Sequence, residues 1–289
     1  MWDLILDCVL DALKDGAFSL PVLFIAYLLM ELLERSGKFN ENMLRVYSRA
    51  SGPALGGVLG AIPQCSISGA AATLFSTGTI TVGTMLAVFF ATSDEMLPVM
   101  LSALTDGGIG LGRILAIVAG KAALGVILGY AVDAIFGRFF RAGKDIHSFC
   151  EREHCEGEEN VWLSALKHTV KIGIMLIAVN FALNIIFGLI GEEHLAAFMT
   201  GRPVAAELLL ALFGLIPNCA VSVIITQSYL AGVVTLGGLF AGLLSNAGIG
   251  LLVLLRTNRN AKENMAIIAI LYVLSALCGM AITAISALI

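Results

Sequence analysis

The sequence predicts an all-α polytopic membrane protein made of two inverted copies of one repeat. Each half is expected to hold three spanning helices and one proline-broken re-entrant hairpin. Three observations predict this. The 289 residues are 58% hydrophobic and only 13% charged, with a mean hydropathy of +0.94, whereas a soluble domain averages roughly 45–50% apolar and about 25% charged. The apolar residues fall in blocks near the ~20 residues that a spanning helix needs. Two of those blocks carry the same interruption, Ile-Pro-Gln-Cys at 62–65 and Ile-Pro-Asn-Cys at 216–219. The composition excludes a soluble enzyme and a disordered chain. The net charge of −4 leaves no basic surface to neutralise phosphates, which excludes a nucleic-acid binder.

The elements follow in order. Residues 1–16 place Asp3, Asp7, Asp11 and Asp15 four apart with apolar residues between them, the pattern of an amphipathic helix lying on the membrane surface. They lack the basic start of a signal peptide, so the segment is expected to be retained. The first repeat is assigned to 17–137, a polar loop to 138–160 and the second repeat to 161–289. Plain spans are expected at 17–34, 80–103, 113–137, 165–190, 232–255 and 264–288. The stretches 53–77 and 205–229 are each interrupted by proline, which removes a helical hydrogen bond and clashes with the preceding turn. Their flanking pieces of about ten residues are too short to cross.

Charge decides how those two stretches run. The loops 35–51, 138–160 and 256–263 hold the clusters Arg35, Lys38, Arg45, Arg49; Arg138, Arg141, Lys144, Arg152; and Arg256, Arg259, Lys262. Basic loops favour the cytoplasm. All three lie on one side only if both interrupted stretches dip in and return. The loop 191–203 is then outside, as are both termini. The halves become inverted copies, and a shift of 154 residues tests this. It superposes Gly60 on Gly214, Pro63 on Pro217, Cys65 on Cys219, Ser68 on Ser222, Gly78 on Gly232, Thr81 on Thr235 and Gly83 on Gly237 without a gap. Inverted repeats with discontinuous helices are the pattern of secondary transporters, whose site lies at the repeat interface. No phosphate-binding loop is present, and the largest polar segment is too small for an ATPase domain.

The broken tips offer free backbone groups at membrane depth, tolerated only where protein or a wet cavity covers them. Gln64, Cys65, Ser66 and Ser68 on one tip, and Asn218, Cys219 and Ser222 on the other, are candidate substrate ligands. Asp94 and Glu95 are adjacent acids inside an apolar span, where ionisable groups are expensive and functional by default. Lys121 is the one basic residue deep in an apolar span. Both Asp94 and Lys121 lie roughly 12–14 Å below the outer loop at 1.5 Å per residue, so an ion pair serving coupling or gating is expected, with a structural salt bridge as the rival. Thr92 aligns with Asn246, and both are site candidates. Asn180 and Asn184 share a helix face at i and i+4 and either line the cavity or hold helices together. In the loop 138–160, His147, Cys150, His154 and Cys155 supply a Cys2His2 set for transient metal binding. The membrane candidates for metal are Cys65, Cys219 and Asp94. No H-E-x-x-H or G-x-S-x-G motif is present, so no enzyme is expected.

The paired P-[QN]-C tips, the Thr-Ser-Asp-Glu run at 92–95 and the His/Cys-rich central loop resemble the ten-span heavy-metal exporter family, whose members are labelled arsenic-efflux permeases or manganese transporters. The resemblance covers nearly the whole chain. Ten hydrophobic segments arise here as six spans and two hairpins of two halves each. The resemblance implies export of a metal or metalloid. Combined with the residues, it gives an expected proton-coupled secondary exporter of a heavy-metal or metalloid ion in the cell membrane, working by alternating access around the two tips. A divalent cation such as manganese or zinc is favoured because buried and loop acids attract positive charge, with trivalent arsenic close behind because two thiols suit soft ions. The expected partners are the substrate, the bilayer and protons. No resident cofactor is required, and a homo-oligomer is compatible with the sequence. The rival is a carrier of a small organic or anionic solute, favoured by helix N-termini and Lys121.

Overall fold

The computed structural model describes residues 41–93, 95–105, 108–141, 203–258 and 260–288, with isolated helical positions between 21 and 28 and between 162 and 178. At 41–50, Cys65, Thr105, Arg141 and 203–205 the backbone alone is described. The expected surface helix 1–16, most of the spans 17–34 and 165–190, most of the central loop and nearly all of the outer loop therefore lie outside the described residues. The chain is all-helical over what is described. The first half contains α1 (Glu41–Gly60), α2 (Cys65–Ser76), α3 (Val82–Ala91), α4 (Met96–Thr105) and α5 (Leu111–Phe136), followed by a short 3-10 turn at Phe139–Arg141. The second contains α6 (Pro203–Gly214), α7 (Cys219–Leu230), α8 (Leu236–Ser245), α9 (Ile249–Thr257) and α10 (Ala261–Leu288). Among the described residues, four segments are long and apolar enough to cross a membrane: Val82–Leu104, Leu111–Phe136, Leu236–Thr257 and Ala261–Leu288. The protein is thus a helical membrane protein.

Both proline interruptions break their helices as the sequence implies. α1 ends at Gly60 and α2 starts at Cys65; α6 ends at Gly214 and α7 starts at Cys219. The two breaks share a backbone bond. Gln64 N donates to Ile62 O at 2.8 Å, and Asn218 N donates to Ile216 O at 2.8 Å. The tight turns after α2 and α7 match as well. Gly78 and Gly232 take φ of 77° and 75°, a left-handed conformation that glycine adopts freely. Thr81 and Thr235 then cap α3 and α8, accepting from Thr84 N at 3.1 Å and Gly238 N at 3.0 Å, which satisfies donors a helix start leaves open.

Two further breaks depart from the expected plain spans. The stretch 80–103 is two helices, α3 and α4, separated at Thr92–Glu95, and 232–255 is α8 and α9, separated at Asn246–Gly248. No proline stands inside either break, though Pro98 in the first turn of α4 lacks the amide that would bond back four residues into the first one. In the second, Gly248 stands at φ 53° and ψ −137°, a region closed to residues with a side chain. Asn246 Oδ1 accepts from Gly248 N at 2.9 Å, a local side-chain bond that competes with the helix ladder.

Small residues set the packing, as expected where lipid tails remove any hydrophobic drive between helices. Gly56 and Gly60 on α1 lie against Ala87 and Ala91 on α3, so α1 and α3 run in the same direction. Gly125 and Gly129 on α5 lie against Ala91 and Ala87, so α5 runs opposite to both. For α3 to restart alongside α1, α2 must carry the chain back. The second half repeats the arrangement: Gly214 on α6 lies against Gly242 and Ser245 on α8, and Gly279 on α10 lies against Ala241 and Gly237. Every residue of α3 is buried, and α8 is buried from Gly237 to Ser245. The outer faces of α5 and α10 stay exposed and apolar, with Leu115, Ile127 and Ile135 on one and Val273, Leu277 and Ile285 on the other.

Candidate functional site

The halves interlock through their broken helices. α2 of the first half packs along α9 of the second, and α7 of the second packs on α4 of the first. The α2–α9 pair is parallel in register. A methyl group at Gly250 would touch Ser68 Oγ at 2.9 Å, and Ser76 Oγ bonds Thr257 Oγ1 at 2.7 Å nearer the far end. The N-terminal ends of α2 and α9 therefore lie level, with Gln64 and Ser66 beside the break at Asn246–Gly248. Each helix N-terminus carries open N–H groups and a partial positive charge.

The C-terminal ends that face these breaks are held by Lys121. Its side chain, 1% exposed, projects from α5. Nζ donates to Thr92 O at the end of α3 and, at 3.2 Å, to Leu243 O in the last turn of α8. A cation is favoured where helix carbonyls end, and here one ammonium serves an end in each half. The expected partner Asp94 lies outside the described residues. Glu95 is part-buried, and its backbone carbonyl accepts from Val99 N at 3.2 Å.

The other expected site residues fall as follows. Ser66 is fully buried, and among the described residues its Oγ has no hydrogen-bond partner. Asn246 is 3% exposed; its Oδ1 is used by Gly248, but its Nδ2 has no partner. Thr92 Oγ1 bonds back to Val88 O at 2.7 Å. On the other tip, buried Asn218 caps α7 by accepting from Ala220 N at 2.7 Å. Ser222 Oγ donates to Cys219 O at 2.8 Å, and Cys219 is buried. Gln64 is part-buried and makes no capping bond to α2. Cys65 begins α2, with only its backbone described. Ser66 and Ser68 thus belong with Asn246 beside α9, whereas Asn218, Cys219 and Ser222 belong to α7, which packs on α4. Asn180, Asn184, His147, Cys150, His154 and Cys155 lie outside the described residues. Among the described residues, no group of three or more His, Cys, Asp or Glu side chains is placed to hold a metal ion.

Two buried acids were missed in the sequence. Asp133, near the end of α5, accepts from Thr81 Oγ1 at 2.6 Å and from Gly83 N at 2.8 Å, so its carboxylate sits on the N-terminus of α3. Glu207, in the second turn of α6, is 1% exposed. Its Oε1 accepts from Thr283 Oγ1 at 2.7 Å, and its Oε2 has no partner. The signal that could have found them is the one applied to Asp94 and Glu95, a carboxyl inside an apolar segment.

No family model matches the chain, and neither a curated protein nor a solved structure matches it.

Proposed function

We propose that the chain is a secondary-active, proton-coupled exporter in the cell membrane that carries a heavy-metal or metalloid ion through the breaks between α1 and α2, α3 and α4, α6 and α7, and α8 and α9. In this reading the two halves form an inverted repeat, with α1–α2 and α6–α7 as re-entrant hairpins. The parallel run of α1 and α3, its counterpart in α6 and α8, and the interlocked α2–α9 and α4–α7 pairs support that architecture. Broken helices facing one another at membrane depth are what alternating access around a central substrate requires.

One observation carries the substrate class. Ser66 Oγ and Asn246 Nδ2, both buried and without protein partners, lie at the breaks that open the level helices α2 and α9. A buried polar group without a partner is costly, and a polar substrate removes that cost. Nδ2 is a donor, and the ends of α2 and α9 are positive, so this environment suits the oxygen atoms of a hydroxylated substrate better than a bare cation. The thiol of Cys219, and Cys65 at the equivalent start of α2, suit a soft centre. Hydroxylated trivalent arsenic joins both features, with a divalent cation such as manganese or zinc as the alternative within the same class. A second reading, carriage of a small organic anion, is favoured by the same helix ends together with buried Lys121.

The test is ligand-induced thermal stabilisation of the purified full chain by arsenite, manganese, zinc, cadmium and a panel of small carboxylates. Arsenite is expected to raise the melting temperature, Asn246→Ala to weaken the shift and Cys219→Ser to weaken it further. A shift from manganese or zinc alone would return the substrate to a divalent cation. A shift from carboxylates alone, indifferent to Cys219→Ser, would establish the anion carrier instead.

A further inference from the structure

Among the described residues, three of the four buried polar atoms without a partner, Glu207 Oε2, Ser275 Oγ and Asn246 Nδ2, belong to the second half, and helix register sets their residues in sequence along one seam. Thr283, which bonds Glu207, and Ser275 lie eight residues apart on one face of α10, about 12 Å along the axis. Between them, Gly279 rests on Ala241 of α8. α8 and α10 are antiparallel, so one turn further on Ser275 comes level with Ser245, the last residue of α8 before Asn246. The row leads from Glu207 to the break that opens α9.

The same seam in the first half is built without it. Gly129 takes the place of Gly279, meeting Gly83 O and Ala87. In that frame Pro53 stands where Glu207 stands, and it approaches the Cβ position of Gly129 at 3.1 Å. Gly125 stands for Ser275 and Ala91 for Ser245, with the Gly125 Cβ position 3.2 Å from Ala91 Cβ. The fold therefore does not need polar groups at these points. The buried acid of the first half, Asp133, is fully used as a cap, whereas Glu207 leaves one oxygen bare.

We propose that Glu207 is a proton-binding site of the second half, its carboxylate taking up one proton from water to become the acid and returning it when the seam between α6, α8 and α10 opens. α6 packs against α7, α8 and α10. α8 has no titratable side chain. α7 offers Cys219 and Tyr229. α10 offers Cys278 and Tyr272 further along, and Lys262 and Glu263 about 30 Å from Thr283 by helix rise. Arg202 precedes α6 and lies outside the described residues. Among the described residues, no cation is placed to neutralise Glu207. An intramembrane carboxyl of this kind is the usual carrier in proton relays.

The proposal deepens the proton-coupled reading above and rests on it for its purpose, but not for its test. Infrared difference spectra of the full chain in lipid, recorded between alkaline and acidic pH, are expected to show a carboxylic-acid carbonyl band that is lost in Glu207→Gln and kept in Asp133→Asn. Thr283→Val removes the hydrogen bond without removing the acid, so it should move the same band; it identifies the group even where Glu207→Gln folds poorly. A band unchanged in both Glu207→Gln and Thr283→Val, or one that responds to sodium rather than pH, overturns the assignment. In proteoliposomes carrying arsenite, the rate ratio with and without an imposed pH gradient should fall to unity in Glu207→Gln. If no arsenite moves in the wild type, the exporter reading fails while the infrared result still decides the proton site.

Discussion

Lys121 Nζ donates to Leu243 O at 3.2 Å, and that bond joins α5 of the first half to the last turn of α8 in the second. The same ammonium serves Thr92 O, so one side chain holds the ends of both buried half-helices. Hydrogen bonds to a charged group contribute roughly 1.5–3 kcal/mol each. Lys121→Met keeps most of the volume and removes the donor, leaving two buried carbonyls short of a partner. Its unfolding free energy is expected to fall by about 2–3 kcal/mol, read as a lower melting temperature in detergent. A melting temperature equal to wild type would mean that the carbonyls find other donors and that Lys121 does not clamp the halves.

The close approach of α3 to α5 predicts a contrast between two glycines. A Cβ at Gly83 would collide with Gly129 O and the Asp133 carboxylate, and overpacking of this kind costs about 1–3 kcal/mol. Gly112, on the open first turn of α5, has nothing within 4 Å of its Cβ position. There alanine should stabilise by about 0.5–1 kcal/mol, through helix propensity and a less flexible unfolded chain. Gly83→Ala should therefore melt below wild type and Gly112→Ala at or above it. Equal melting temperatures would show that α3 and α5 can separate without loss.

What the sequence made legible follows from what proline does. Pro63 and Pro217 lack the amide that a helix needs, so the two breaks they cause, and the shared offset that aligns them, could be read directly. The break at Asn246–Gly248 could not, because no proline stands there; the one at Thr92–Glu95 is marked only by Pro98, which the first turn of a helix tolerates. The polar pair Thr92 and Asn246 was visible as a site candidate at the common offset, yet the chain was expected to stay helical through it. The backbone geometry at Gly248, which ends the ladder, is a conformational choice that glycine permits but does not demand. Lys121 was legible as a buried cation, whereas its bonds to the carbonyls of Thr92 and Leu243 were not: main-chain carbonyls at helix ends leave no mark in sequence. Glu207 escaped notice because it sits near the edge of an interrupted stretch, where a carboxyl passes for an interfacial residue.

The two proline breaks differ in one capping bond, and stability should report it. Asn218 Oδ1 accepts from Ala220 N at 2.7 Å, whereas Gln64, one methylene longer at the equivalent position, makes no capping bond to α2. Losing an N-cap costs about 1 kcal/mol. Asn218→Ala is expected to destabilise by about that amount, and Asn218→Asp to retain the cap. Gln64→Ala should lack this penalty. Thermal melts of the three variants decide it, and a larger loss in Gln64→Ala than in Asn218→Ala would show that the Asn218 cap is not what sets the two breaks apart.

Asp133 anchors the start of α3 through two short bonds, one from Thr81 Oγ1 at 2.6 Å and one from Gly83 N at 2.8 Å. A carboxylate at a helix N-terminus gains from both the open amides and the dipole, and charge-assisted bonds of this length are about twice as strong as neutral ones. In the second half the residue that meets Gly237, the counterpart of Gly83, is Thr283, which stands between that end and the Glu207 carboxyl it bonds, so among the described residues no carboxylate bonds the start of α8 directly. Removing the charge should therefore weaken one half selectively. Asp133→Asn is expected to lose about 2 kcal/mol, with amide exchange rising in 82–91 and staying unchanged in 236–245. Thr81→Val removes the hydroxyl that both donates to Asp133 and caps α3, so it should loosen the same segment. If exchange rose equally in both segments, the halves would unfold as one unit and the bond would not be local to α3.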